Sequence, residues 1–316
     1  METTADKVAI KKVKKQTLLG NLIRRLFKEK PLGTIGAIIV IIAFLAGIFA
    51  NFVSPFGMND QDLAARLQGP SAQHLLGTDG LGRDLFTRII YGARISMLVG
   101  LGSTTIGTLF ATILGLFSGF LGGKFDIVVQ RFVDSWMSFP HIFLIMTIMA
   151  VIGQGLWQVI VVIGALQGFT GSRVVRSSVI AIKENVYVQA SQALGTSTFR
   201  TLLQHILPNV AAPIIILFTV NMGSAILTEA TISFLGFGIP PPNPSWGSML
   251  SGSGRAYMLQ NPWMAFWPGL ALALIVYGIN MLGDAMRDIL DPRLRGGLGR
   301  YGSGKAKKAR ERVLSK

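Results

Sequence analysis

Long apolar runs alternate with short polar segments along this chain. Leu32 to Val53 has no charged residue over about 22 positions, enough for a helix to cross a hydrocarbon core of about 30 Å. Comparable runs cover Ile95–Phe120, Ile127–Ile152, Leu156–Val175, Ala211–Gly236 and Trp263–Met286. The pattern predicts six membrane-spanning helices. Ahead of the first, Thr17 to Lys30 sets Leu18, Leu19, Leu22, Ile23, Leu26 and Phe27 on one side and Arg24, Arg25 and Lys28 on another. That is the pattern of an amphipathic helix lying on a membrane surface. Pro140 should kink the third span. The proline-rich Ile239–Trp246 reads as a loop.

Glu184 to Asn209 is a polar island between the fourth and fifth runs. Val186, Tyr187, Ala190, Ala193 and Leu194 share one face at helical period. Gly195 interrupts that pattern where a helix would end, and Thr196 or Ser197 can cap a second helix. Its apolar positions are Phe199, Leu202, Leu203 and Ile206, and Pro208 is expected to stop it. The product is a helix–glycine–helix elbow with apolar faces, shaped to be gripped by another protein.

Composition agrees with a membrane protein. Hydrophobic residues make up 50% of the 316 and charged residues 14%, against roughly 25% in soluble domains. No cysteine is present, which excludes disulfides and thiolate metal sites, and the three histidines lie far apart in sequence. Of the net charge of +15, +14 sits at the two ends. Residues 1–31 carry nine Lys/Arg against three acids, and residues 293–316 carry nine against one. Basic residues flanking apolar spans mark the cytoplasmic side, so both termini are expected there and the span count should be even. This distribution argues against nucleic-acid binding. It also puts the elbow in the cytoplasm, and 54–94 and the proline-rich loop outside.

Little chemistry is visible. His74–Asp84, HLLGTDGLGRD, reads either as a turn leading into a helix or as a contact for an external partner, with Asp79, Arg83, Asp84 and, from the later loop, Trp246 as facing residues. Gly107, Ala111, Gly115 and Gly119 form a stripe of small residues every fourth position, suited to close helix packing within the chain or between subunits. Arg131 and Asp134 are spaced for a mutual ion pair, and Asp284, Arg287, Asp288 and Asp291 for an ion-paired helix end. Glu229 lies inside the fifth span and serves either helix-packing hydrogen bonds or a translocation path. Gly299–Ala306 approaches a phosphate-binding loop but has Ala306 where Ser or Thr should hold Mg²⁺, and no strand precedes it. No catalytic set or metal site is evident.

Taken together, His74–Ser96, the elbow, Thr228–Gly247 and Asn280–Arg295 resemble the C-type membrane subunit of the dipeptide/oligopeptide/nickel group of ATP-binding-cassette importers. The elbow follows that family's E-A-A-x3-G-x9-I-x-L-P pattern through Gln189, Ala190, Ser191, Gly195, Ile206, Leu207 and Pro208, with Gln189 and Ser191 replacing the pattern's Glu and second Ala. The resemblance implies an all-α integral membrane protein with six transmembrane helices, a cytoplasmic coupling elbow and the type I importer permease fold. Residues 1–31 would form a cytoplasmic basic tail and interfacial helix, 32–92 the first span and a long outer loop, 93–287 a five-helix permease core with its elbow at 184–209, and 288–316 a second cytoplasmic tail. It implies a multi-pass subunit of the cell membrane, without catalytic residues or cofactors of its own. Its partners would be membrane lipid, a homologous B-type permease, two cytoplasmic ATPases that bind ATP and Mg²⁺, and an extracytoplasmic solute-binding protein. The implied solute is a peptide, with nickel chelates, glutathione or oligosaccharides as alternatives, and an ATPase-independent secondary transporter as a different reading.

Overall fold

A computed structural model describes residues 18–290, and both basic tails, with Asp291 and the near-match at Gly299–Ala306, lie outside the described residues. A surface helix α1 (Leu18–Glu29) precedes α2 (Pro31–Ile48), where Pro31 starts the helix at the position that needs no N–H donor. After a short α3 (Ala50–Val53), an irregular segment leads to α4 (Leu85–Leu121). Then come α5 (Gly123–Met137), α6 (His141–Ile152), α7 (Leu156–Lys183), α8 (Val186–Ala193) and α9 (Thr198–Thr201). The chain ends with α10 (Leu207–Phe234), α11 (Trp246–Tyr257) and α12 (Trp263–Leu290). Among the described residues there is no β-strand, only an isolated bridge between Thr78 and Asp84.

Among the described residues five helical stretches are long and apolar enough to cross a membrane, and the count is six when the bent pair α5–α6 is taken as one span. Here the expected kink is a break. The axes of α5 and α6 differ by 87°, and Pro140 is the N-cap of α6 rather than a residue inside one helix. A proline has no N–H for the preceding helix and disfavours helical backbone in the residue before it, so the chain turns at Ser138–Pro140. Lys124 lies in the first turn of α5.

Pro208 differs from expectation in the opposite sense. Helix continues from Thr198 to Phe234 through a π-helical turn at Leu202–Ile206, and Pro208 sits in the first turn of α10. The Leu207 N–H bonds back to the Leu202 carbonyl, and the wider turn accommodates a proline that a regular α-helix would not.

The small-residue stripe of α4 packs inside the chain, against α7. A methyl group added at Gly107 would lie 2.8 Å from the Gly164 carbonyl oxygen, and one added at Gly115 would lie 2.6 Å from the Val175 Cβ. At Gly119 the neighbours are Arg176 and Val179, so α4 and α7 run in the same direction. With α5–α6 returning between them, the 54–84 segment stands at one end of the bundle and the elbow at the other. On the far flank α2 packs antiparallel on α12, where Gly33 faces Ala285 and Gly36 faces the Gly278 carbonyl. The ion pair at the end of α12 joins Asp288 to Lys30 across to the α1–α2 junction rather than along its own helix.

Candidate functional site

The elbow spans α8, α9 and the π-turn. Val186–Ala193 is helical because apolar residues recur at helical spacing, and it ends at Gly195, whose φ of +79° only glycine adopts without strain. The Thr196 N–H donates to the Ser191 carbonyl and the Gly195 N–H to the Gln192 carbonyl, which satisfies the helix end in a Schellman arrangement. Ser197 takes the N-cap of α9 with extended backbone, but its side chain makes no capping hydrogen bond.

One face of the elbow is anchored. Val188, Leu202 and Ile206 are buried in a cluster with Leu116, Phe120, Val175, Val179 and Val210 from α4, α7 and α10. The edge of the Tyr187 ring meets His205 with centroids 6.4 Å apart. Just behind, Arg176 Nε donates to Asp126 Oδ1 at 2.6 Å and Ser118 Oγ donates to the same carboxylate, tying α4, α5 and α7 together. Lys183 Nζ donates to the Phe120 carbonyl at 2.7 Å, fixing the last turn of α7 to the end of α4. Asp134 pairs with Arg131 at 3.6 Å as its spacing suggests, and also with Arg173 of α7.

The other face is bare. Leu194 is 87% exposed, Val186 81% and Phe199 65%, with Leu203 and Tyr187 also open. Apolar side chains this exposed, at the end of a rigid frame, are the anchors expected of a protein–protein contact. Of the residues singled out from the family pattern, Gln189, Ala190, Gly195 and Pro208 are exposed, Leu207 is half-buried, and Ser191 and Ile206 face inward. The pattern therefore marks two kinds of residue, those that shape the elbow and those that present it. Leu194, Phe199 and Leu203 read in the sequence only as the apolar faces of the two helices. Which of them point away from the bundle is a tertiary fact.

The opposite end is built differently from its sequence reading. Asp79, Asp84 and Trp246 are buried, and the Arg83 side chain is only 14% exposed. Asp79 accepts from the Leu81 and Arg83 N–H groups at 2.8 and 3.0 Å and pairs with the Arg83 guanidinium at 2.7 Å. Asp84 caps α4 through the Thr87 N–H at 2.8 Å and holds His74 Nδ1 at 3.0 Å. Trp246 Nε1 donates to the Ile89 carbonyl at 3.1 Å, and the indole lies on Gly92. These carboxylates and this indole are spent on internal structure. Helix α11 fills the stretch between the proline-rich loop and the last span, to which the sequence reading assigned no element. Its signal is Ser245 followed by Ser248, which form a reciprocal capping box.

Glu229 is fully buried within α10. Ser233 Oγ donates to it at 2.7 Å, and Ser96 of α4 and Ser245 at the start of α11 also face it. Its hydrogen bond is to Ser233 of its own helix, while its second carboxylate oxygen and the Ser96 hydroxyl are buried without a hydrogen-bond partner among the described residues.

The fold and the elbow define a multi-pass helical membrane protein with an exposed apolar projection between α7 and α10. Residues 111–296 match the family model described as binding-protein-dependent transport system inner membrane component, and residues 19–70 match the N-terminal TM domain of oligopeptide transport permease C. The chain is 41% identical over 268 residues to the dipeptide transport system permease protein DppC of Alkalihalophilus pseudofirmus, covering 85% of this chain and 88% of that one. It is 37% identical to the oligopeptide transport system permease protein OppC of Bacillus subtilis, covering 85% and 88%. It is 36% identical to the glutathione transport system permease protein GsiD of Escherichia coli, covering 86% and 90%. A chain of the MetNI methionine ABC transporter, in inward-facing form, superposes with a TM-score of 0.55 at 17% identity, covering 65% of this chain and 96% of that one. This chain belongs to the binding-protein-dependent transport system inner membrane component family, and its fold is the type I importer permease fold.

Proposed function

We propose that this chain is the permease subunit of an ATP-driven importer of short peptides, with its elbow end and both tails in the cytoplasm. The observation that carries the reading is the elbow: an exposed apolar face on a frame cross-linked by Asp126–Arg176 and Lys183–Phe120. The charge of the two tails supports the sidedness. The names of the relatives support the peptide, glutathione being itself a tripeptide.

In this reading a homologous B-type subunit pairs with the chain in the lipid bilayer. Two cytoplasmic ATPases bind ATP and Mg²⁺ and seat the elbows, and a solute-binding protein delivers peptide at the other end. Residues 93–287 form the moving core, and 1–31 and 288–316 are its cytoplasmic margins. This subunit supplies no catalytic residue. Closure of the ATPases draws the elbows together, and the rigid connection from α8 to α7 and α10 converts that approach into alternating access. Gln189, where the family pattern has a carboxylate, leaves the contact to shape and apolar burial.

Reconstitution with these partners should give ATP-dependent uptake of dipeptides. Two outcomes would overturn the reading. One is transport by this chain alone; the other is ATP-dependent uptake of nickel chelates or oligosaccharides that peptides do not compete.

A further inference from the structure

A cavity of about 260 Å³ opens at the end of the bundle opposite the elbow. That is close to the lower bound of roughly 300 Å³ for small-molecule sites. Its mouth is formed by exposed Leu81, Pro241 and Asn243. Leu85, Met249 and Met264, all buried, line an apolar wall. Gly252, whose ψ of −105° interrupts α11, contributes wall without a side chain.

The charges in this cavity do not balance. Arg83 and Arg88 face one carboxylate, Asp79. Asp79 is already engaged by the Arg83 guanidinium and by two backbone N–H groups. Arg88 is 7% exposed, and its Nε lies 3.7 Å from Asp79 Oδ2, beyond hydrogen-bond length. The hydrogen bond of its guanidinium runs from Nη1 to the Met58 carbonyl, at 3.3 Å. Asp84, the next nearest acid in sequence, is held by His74 and the Thr87 N–H. A guanidinium offers five N–H donors in a planar fork, and a buried one without a full set of acceptors is costly. A carboxylate is the anion whose two oxygens match that fork.

We propose that this cavity receives the free C-terminal carboxylate of a short peptide, with the carboxylate on Arg88 and the terminal side chain against Leu85, Met249 and Met264. Cation and apolar wall together fit a chain end better than an inorganic anion, which would leave the wall unused. The inference rests on the peptide-import reading and adds a site to it.

The test uses the assembled importer in nanodiscs without the solute-binding protein, titrated calorimetrically with Ala-Phe and with Ala-Phe amide. The wild type should bind the free acid at least about tenfold more tightly than the amide. R88Q should bring that ratio to about one. R88K keeps the charge but loses the fork, so it should lower the ratio severalfold and serves if R88Q does not assemble. Equal binding of acid and amide, no binding of either, or a ratio unchanged in R88K would overturn the proposal. An equal ratio in the wild type, with weaker capture of the solute-binding protein by R88Q, would instead assign the cavity to an acidic side chain of that protein. Peptide uptake by the wild-type importer without acid–amide discrimination removes the cavity and leaves peptide import standing. No peptide uptake at all removes the reading beneath it.

Discussion

Gly195 has no neighbouring atom within 4 Å of where a Cβ would lie, so a substitution there meets conformational strain and not a clash. Its φ of +79° costs an alanine about 1 kcal/mol, which Gly195→Ala should express as weakened coupling with normal assembly. Gly195→Pro forbids that φ and also removes the N–H that donates to Gln192. It should uncouple hydrolysis from uptake, and solute-stimulated ATPase activity in a reconstituted complex checks this: wild-type stimulation in the proline variant would sink the lever role. Leu194 and Phe199 project from the fold, so Leu194→Asp and Phe199→Asp should change thermal stability in detergent by no more than about 0.5 kcal/mol. Co-purification of the ATPases should nevertheless drop at least about tenfold, because a buried anchor becomes an unpaired charge in the contact. The helical face from Val186 to Leu194, the break at Gly195 and a cap at Thr196 or Ser197 were legible from spacing and residue type, and the structure puts the cap position at Ser197. The split between the anchored Val188 and Ile206 and the bare Leu194 and Phe199 was not, since periodicity gives a face but not its neighbour.

At the scale of elements, backbone approach governs. Gly115→Val would force a side chain into space held by Val175 and the Ser172 carbonyl, at a cost of about 1–3 kcal/mol or separation of α4 from α7. Asp126→Asn leaves Arg176 without its counter-charge at a partly buried site, and should lower stability by about 1–3 kcal/mol. Differential scanning fluorimetry of the purified subunit checks both, and an unchanged melting temperature in either would contradict the assigned contacts. The two prolines show where local rules end. Pro140 broke a span where a kink was expected, and Pro208 sits inside a continuous helix where a stop was expected. Proline dictates the loss of one N–H and a fixed φ. Whether the chain answers with an 87° turn or a π-turn depends on what the flanking helices pack against.

For the whole molecule, orientation is the property that function requires. The absence of cysteine lets one thiol be introduced at each end against a silent background. Gln73→Cys in the long loop and Gln192→Cys on the elbow are both at exposed positions. A membrane-impermeant maleimide applied to intact cells should label the first, and should reach the second only after permeabilisation. The reverse pattern would invert the proposed topology and with it the direction of import.

The apolar runs, the basic tails and the glycine at the elbow were enough to determine a multi-pass helical protein with a helix–glycine–helix elbow. Each is a property of composition and period along the chain, because the bilayer imposes length on a span and the charge rule imposes its side. The parallel packing of α4 on α7, the face of the elbow that stays bare, and the burial of Asp79, Asp84 and Trp246 were decided only in three dimensions. So was the setting of Arg88, buried 3.7 Å from an Asp79 that the Arg83 guanidinium already engages. A charge count shows that acids and bases balance; only distance shows that Asp79 hydrogen-bonds the Arg83 guanidinium and meets Arg88 at longer range.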